Sequence, residues 1–319
     1  MTRRLALALL CLAALSVPAA AQQTENFSRK VRLGANGRVT VANVSGDIVV
    51  TAGPGDDVSI EAIKRTTGSR SDLSQVQVQV EDRAGRVDIT TNYVSRFNAF
   101  FGGGPSVSVD YTITVPQSAA VEVRSVSGSV KVTGIRGAAR AQTVSGGVAL
   151  SNVAHAELAK TVSGAIELND ISDADALDLN SVSGSVRGTN VKARTVTFQT
   201  VSGSFDLNNA TCDRVDARSV SGGMQLAGTL AKNGQYDLRT HSGAVTLTVP
   251  ANAGFTVDAN TFSGDIRSAF AFTIGGDVNE SLARRRGPGG RGAIHGTVGD
   301  GSAQVRVETF SGSIVLNKR

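Results

Sequence analysis

Apolar and polar positions along most of this chain recur in blocks of about twenty residues, each block built around a Ser-Gly step. The glycines of that step are Gly46, Gly128, Gly146, Gly164, Gly184, Gly203, Gly222, Gly243, Gly264 and Gly312. From Gly128 to Gly264 the spacings are 18, 18, 20, 19, 19, 21 and 21 residues. Aligned on the glycine, the position two residues later is always apolar, as in Val130, Val148, Ile166, Val186, Phe205, Met224, Val245, Ile266 and Ile314. The position four residues later is mostly apolar, and the residue between is mostly polar or small. Alternation of period two is the mark of a half-buried strand. A second apolar column stands five residues before the glycine: Val123, Ala141, Ala159, Leu179, Phe198, Ala217, Leu238, Ala259 and Val307. Each block therefore predicts a rung of two short strands joined at the Ser-Gly step. Repetition near this period predicts an all-β solenoid, a β-helix-like stack of rungs. Columns of like residues favour stacked rungs over the hairpins of a β-sandwich, because stacking brings equivalent positions into contact. Eight rungs at about 4.8 Å predict a rod on the order of 35 Å long.

The columns next to the glycine refine the corner. Glycine accepts positive φ and offers no Cβ to collide with the next rung. Three residues before it runs a column of hydroxyls, from Ser125, Thr143 and Thr161 to Thr309, expected to bond to one another and to backbone. Two residues before it stand Val126, Val144, Val162, Val182, Val201 and Val220, then His241, Phe262 and Phe310. Taken as core, the late aromatics predict a core that widens toward the C-terminal end. Gaps of 82 residues before Gly128 and 48 before Gly312 mark insertions. Residues 22–117 are β-rich but less regular, with alternating stretches at 58–62, 76–80, 87–91 and 107–115. They are expected to be continuous with the array at 118–319 and partly to cap it, since open rungs need covered ends. A Gly/Arg-rich loop is expected at about 281–293.

Residues 1–21 read as a secretory signal peptide: Arg3 and Arg4, an apolar run over 5–17, and Ala19-Ala20-Ala21 before a cut at Gln22. The run is shorter than the roughly 20 residues that span a bilayer, and no later segment is longer and as apolar. The expected location is the periplasm, the cell surface or the medium. Without the signal about 298 residues remain, with 30 basic against 27 acidic side chains. That near balance gives no footing to a specific nucleic-acid partner. Cys212 is the one cysteine left, so no intramolecular disulfide forms.

The run from Val41 through Ser45-Gly46-Asp47-Ile48 to Val50, the strand at 107–116, the serial Thr-Val-Ser-Gly steps, Thr261-Phe262-Ser263-Gly264-Asp265-Ile266 and Thr309-Phe310-Ser311-Gly312-Ser313-Ile314 together resemble a bacterial family. It is the "putative adhesin" family, domain of unknown function 4097, and the resemblance covers nearly all of the chain after the signal. It implies a right-handed β-helix-like stack of strand repeats and a cell-envelope setting. It carries no catalytic motif, and so no site residues.

The residues with reactive side chains point the same way. Ten equivalent serines before glycine cannot each own a base and an oxyanion hole. His155, His241 and His295 fit no metal spacing. Asp170, Asp173, Asp175 and Asp178 lack a calcium-loop pattern and read as a solvated loop. No catalytic, cofactor or metal residues are expected, and the chain is read as not an enzyme. The rival is a polysaccharide-acting β-helix enzyme, and a further alternative is a periplasmic envelope-sensing partner. Three features invite binding. The residues four before the glycine, Arg124, Gln142, Lys160, Asn180, Gln199, Arg218 and Arg239, form a basic and amide stripe suited to an envelope glycan or another envelope protein. Phe97, Phe100 and Phe101 belong to a docking or cap loop. Arg284-Arg285-Arg286 and Arg291 make a basic loop with affinity for anionic surfaces.

Overall fold

Alternating strands that cannot bury a face alone do so here by stacking into one continuous β-solenoid. The computed structural model describes residues 22–34, 36–93, 107–274, 277–279 and 292–319. Residues 1–21, expected as a signal peptide, Phe97, Phe100 and Phe101, expected as a docking or cap loop, and the arginines at 284–286 and 291 lie outside the described residues.

Neighbouring rungs pair in parallel with equivalent positions in register. Gln142 sits beside Arg124 on one side and Lys160 on the other, and Leu150 lies between Val132 and Leu168. In the middle of the array the two strands of a rung run on into one another. Ile166–Ser183, Val186–Ser202, Phe205–Ser221 and Met224–Ser242 are each a whole rung of strand. The apolar columns flanking the glycine form the core: Val123, Leu179, Phe198 and Leu238 before it, and Val130, Ile166, Phe205 and Val245 after it, are all buried. Phe198 and Phe205 of one rung stack across that core with centroids 4.7 Å apart.

Close approach, more than backbone freedom, explains the glycine. A Cβ on Gly164 would lie 2.0 Å from the carbonyl oxygen of Gly146. The same clash, 1.9 to 2.2 Å, recurs at every step from Gly128 to Gly243. The threonines Thr143, Thr161, Thr240, Thr261 and Thr309 of the buried hydroxyl column fasten these corners, while Ser125, Ser181, Thr200 and Ser219 in the same column are buried without a hydrogen-bond partner among the described residues. Thr161 donates to the Gly146 carbonyl at 3.0 Å, Thr143 to Gly128 at 3.2 Å, and Thr309 to Gly243 at 3.2 Å. These bonds run from hydroxyl to corner carbonyl, which is the backbone part of the expectation; the hydroxyl-to-hydroxyl part is not seen in this column among the described residues.

A second corner lies six residues after the glycine. Gly134, Asn152, Asp170, Asn190 and Asn209 occupy it with φ between 55° and 78°. Asn and Asp tolerate this left-handed conformation better than other residues with a Cβ. Their side chains also form a ladder: Asn209 donates to Asn190 and Asn190 to Asp170, each at 2.8 Å. Asp170 is thus a corner residue, and Asp173, Asp175 and Asp178 are exposed positions on the strand Ile166–Ser183, where a loop was expected.

Rung order in space departs from chain order at both ends. Arg38–Ser45 pairs with Ala120–Ser127, so the Gly46 rung stacks directly on the Gly128 rung across the 82-residue gap. The intervening chain returns at the outer side. Val107–Pro116 adds in parallel beyond Ile48–Gly53, and Asp57–Thr66 and Gln23–Arg32 add antiparallel beyond that. Arg86–Tyr93 extends the other face. A short helix, Arg70–Ser74, starts with a capping box between Ser69 and Asp72 and buries Leu73. At the far end Ala303–Ser311 lies between Met224–Ser242 and Phe255–Ser263. The Gly312 rung is therefore inserted between the Gly243 and Gly264 rungs, and Gly292–Val298 covers the last one antiparallel.

A ruled outer face as the candidate functional site

Strand alternation decides what faces out. With the residue five before each glycine buried and the hydroxyl three before it buried, those six, four and two before it point to solvent. These three outward columns form one continuous face along the stack. In spatial order its rungs are those of Gly46, Gly128, Gly146, Gly164, Gly184, Gly203, Gly222, Gly243, Gly312 and Gly264.

The column two before the glycine lies outside and not, as its apolarity predicts, in the core. Val44, Val126, Val144, Val162, Val182, Val201, Val220, Phe310 and Phe262 are 38–53% exposed, and His241 is exposed with them. The aromatics do not widen the core; they continue an external apolar ladder. Their rings stack along the rod axis: His241 on Phe310 at 4.9 Å and 8°, and Phe310 on Phe262 at 4.7 Å and 5°. The signal for this was present in the sequence, since the parity that buries Ala141 and Thr143 must expose Val144.

The structure brings the basic and amide stripe together in the adjacent column. Arg124, Gln142, Lys160, Asn180, Gln199, Arg218 and Arg239 are successive register partners. Glu308 and Asn260 extend the column beyond Arg239. Most of its charge is neutralised locally. Arg124 pairs with Glu122, Arg218 with Asp216 at 2.9 Å, and Arg239 with Asp237 at 2.7 Å. In each case the carboxylate is two residues earlier on the same strand, in the third outward column. Arg306 and Glu308 form the same kind of pair at 2.9 Å with the order of charges reversed. Hydrogen bonding to Asp237 raises Arg239 further above its ordinary pKa, so it stays charged. Exposed pairs of this kind add little stability; their effect is to leave a face of ordered but balanced charge.

At the C-terminal end the ladder borders an open depression of about 660 Å³ between Arg218, Arg239, His241, Asn260, Phe262 and Phe310. The other histidines are tied to single partners: His295 faces Asp258 at 3.0 Å, and His155 Nδ1 meets the Asp173 carbonyl at 2.8 Å. Cys212 is buried, and burial pushes its thiol up to about 11. Among the described residues no three His, Cys, Asp or Glu side chains gather as a metal site, and no helix is long and apolar enough to cross a membrane.

Parallel rungs with corner glycines and an internal hydroxyl column define a β-solenoid of the repeat class. The Toastrack DUF4097 family matches residues 36–317, and the chain belongs to that family. Among solved structures, it is similar to a "putative lipid binding protein" from Parabacteroides distasonis ATCC 8503. The two share 11% identity over 92% of this chain and 97% of that one, with a TM-score of 0.50. A "putative adhesin" from the same organism aligns at 12% identity over 92% and 97%, TM-score 0.44. A "putative adhesin" from Bacteroides fragilis NCTC 9343 aligns at 11% over the same shares, TM-score 0.42. At such identities the likeness is one of fold. No functionally curated protein matches the sequence.

Proposed function

We propose that this chain is an exported, non-catalytic envelope protein whose solenoid presents the ruled face for docking a macromolecular partner. One observation carries the reading: nine large apolar side chains stand exposed in a single column running through the stack. Soluble monomers rarely leave a contiguous apolar strip of that extent uncovered. The apolar run at 5–17 and the small residues before Gln22 support export. The paired charges beside the ladder favour a protein partner over an acidic glycan, because Arg124, Arg218 and Arg239 already hold carboxylates. Mutual cancellation of adjacent acidic and basic columns weakens the field a polyanion would follow.

The test is fractionation of cells producing the wild type, a ladder variant (Val162→Ser, Val182→Ser, Val201→Ser) and a stripe variant (Arg124→Ser, Lys160→Ser, Arg218→Ser, Arg239→Ser). The expected result is a chain starting at Gln22 in the envelope fraction, with retention lost in the ladder variant and largely kept in the stripe variant. Retention lost only in the stripe variant would move the site to the charged column. Equal retention of all three would sink the docking face.

A further inference from the structure

We infer that the ladder's partner is a second copy of this chain, packed face to face with the two rods antiparallel; this rests on reading the ruled face as a docking surface. The repeat period of the ladder points to a second copy. The apolar side chains repeat at the inter-strand spacing of about 4.8 Å, and a surface that matches them rung for rung must carry the same repeat. A second copy does so at every rung.

The extent of the face fits a dimer as well. Ten rungs span about 43 Å, and three outward columns cover a width of roughly 18 Å. The face therefore amounts to some 700–800 Å² per copy, close to the roughly 800 Å² per partner of a standard specific interface.

The uneven bulk of the ladder fixes the direction. With the rods parallel, His241, Phe310 and Phe262 of both copies would meet at one end and wedge the valines apart at the other. With the rods antiparallel, the bulky end of each ladder lies over the valine end of its partner. Val126 then faces the partner's Phe310, Val144 the partner's His241, and Val182 the partner's Val201.

Charge agrees with this direction. The rung carrying Glu122 and Arg124 lies opposite the partner's rung carrying Arg306 and Glu308, the pair whose order is reversed. Each charge meets its opposite: Glu122 the partner's Arg306, and Arg124 the partner's Glu308. One rung further in, Arg140 faces the partner's Asp237. One like pair, Lys160 against the partner's Arg218, is relieved by the Asp216 already bound to that arginine. A two-fold axis makes every such contact occur twice.

Sedimentation equilibrium of the purified wild-type chain over ~1–100 μM is the test, with two single variants and their mixture. Val182→Glu and Val201→Lys each place an unpaired charge in the seam and are expected to weaken self-association at least ~30-fold. In an antiparallel pair formed from one copy of each, the new carboxylate faces the new ammonium. The equimolar mixture is therefore expected to regain a dimer. A wild type that stays monomeric through 100 μM overturns the proposal without any variant. Dimers unaffected by either substitution remove the ladder from the interface. A mixture that stays monomeric overturns the antiparallel arrangement. If the wild type is monomeric yet the ladder variant loses envelope retention, the docking reading survives and its partner is a different molecule.

Discussion

Inside the corner column the decisive quantity at one residue is a distance, the space between a glycine α-carbon and the carbonyl of the rung below. A Cβ at Gly164 meets that oxygen at 2.0 Å, while a Cβ at the next-column Gly147 stops 3.3 Å from Ala165 O. Backbone cannot swing away as a side-chain tip can, so Gly164→Ala must push two rungs apart or strain the turn. Overpacking of this kind costs about 1–3 kcal/mol or more. The urea midpoint of Gly164→Ala is expected to drop clearly, and that of Gly147→Ala to change by much less. Equal midpoints would show that the corner relaxes freely. Buried acids give a second residue-scale expectation. Burial pushes Cys212 up to about 11 from 9.0, and Tyr111 and Tyr236 up to about 12 from 10.0. The native state holds these protons more tightly than the unfolded chain does. Their contribution is thus complete below pH 9 and is lost as pH rises through the folded values. Urea stability is expected to be level from pH 7 to 8.5 and to fall between pH 9 and 11. Cys212→Ala should remove a share of that fall on the order of 2 kcal/mol. An unchanged slope in the variant would assign the fall to other groups.

At the scale of the rung, the two corners are built by different means. The Ser-Gly corner depends on absent side chains; the opposite corner depends on side chains that accept a left-handed backbone and then bond along the stack. Asn190 does both, at φ 57° with one bond to Asp170 and one from Asn209. Asn190→Gly should keep the turn and lose the ladder, and Asn190→Ala should lose both. A net hydrogen bond contributes about 0.5–1.5 kcal/mol, and a left-handed Cβ adds roughly 1–2 kcal/mol. The expected order of thermal midpoints is wild type, then Asn190→Gly, then Asn190→Ala; Ala above Gly would mean that the turn conformation is not the constraint. These two corners also show why one was legible in sequence and the other was not. Ser-Gly recurs as an identical pair, whereas the second corner accepts Gly134, Asn152 or Asp170 alike, so no single letter repeats. The ladder was legible but misread. Apolarity argued for burial of Val144 and Phe310, and strand parity argued for exposure. Parity wins because the backbone leaves only one face of a strand inside. The stripe's residues are register neighbours, as their common place in the repeat implies, but the carboxylates that pair with Arg124, Arg218 and Arg239 lie two residues earlier in the strand and attract no notice until alternation places both columns on one surface.

The whole molecule is a row of rungs whose order in space is not their order in the chain. A solenoid couples each rung chiefly to its two neighbours, so the inserted C-terminal rung has a larger role than its terminal position suggests. Ala303–Ser311 pairs with Met224–Ser242 on one side and with Phe255–Ser263 on the other, and Ile314–Lys318 pairs with Val245–Val249 and Ile266–Ser268. Its glycine carbonyl accepts from Thr261, and its Thr309 donates to Gly243. These contacts join residues 51 and 66 positions apart and must wait for the loop between them to close. The last seventeen residues therefore act as a late-fitting key between two rungs that cannot meet without them, since the Gly264 rung makes its parallel pairing with this segment. Deleting residues 303–319 is expected to leave the Gly264 rung held only through its antiparallel neighbour Gly292–Val298 and to strip one neighbour from the Gly243 rung, leaving the rungs from Gly128 to Gly203 intact. Amide hydrogen exchange reads this directly: protection should collapse over 245–249 and 255–263 and persist over 148–183. Deletion of residues 22–32, at the opposite end of the rod, should instead loosen the antiparallel neighbour Asp57–Thr66 and the strand Val76–Arg83 that Arg29 holds. If the C-terminal deletion left protection at 255–263 unchanged, the Gly264 rung would have to close directly onto Gly243, and the inserted order would not be what holds that end of the rod together.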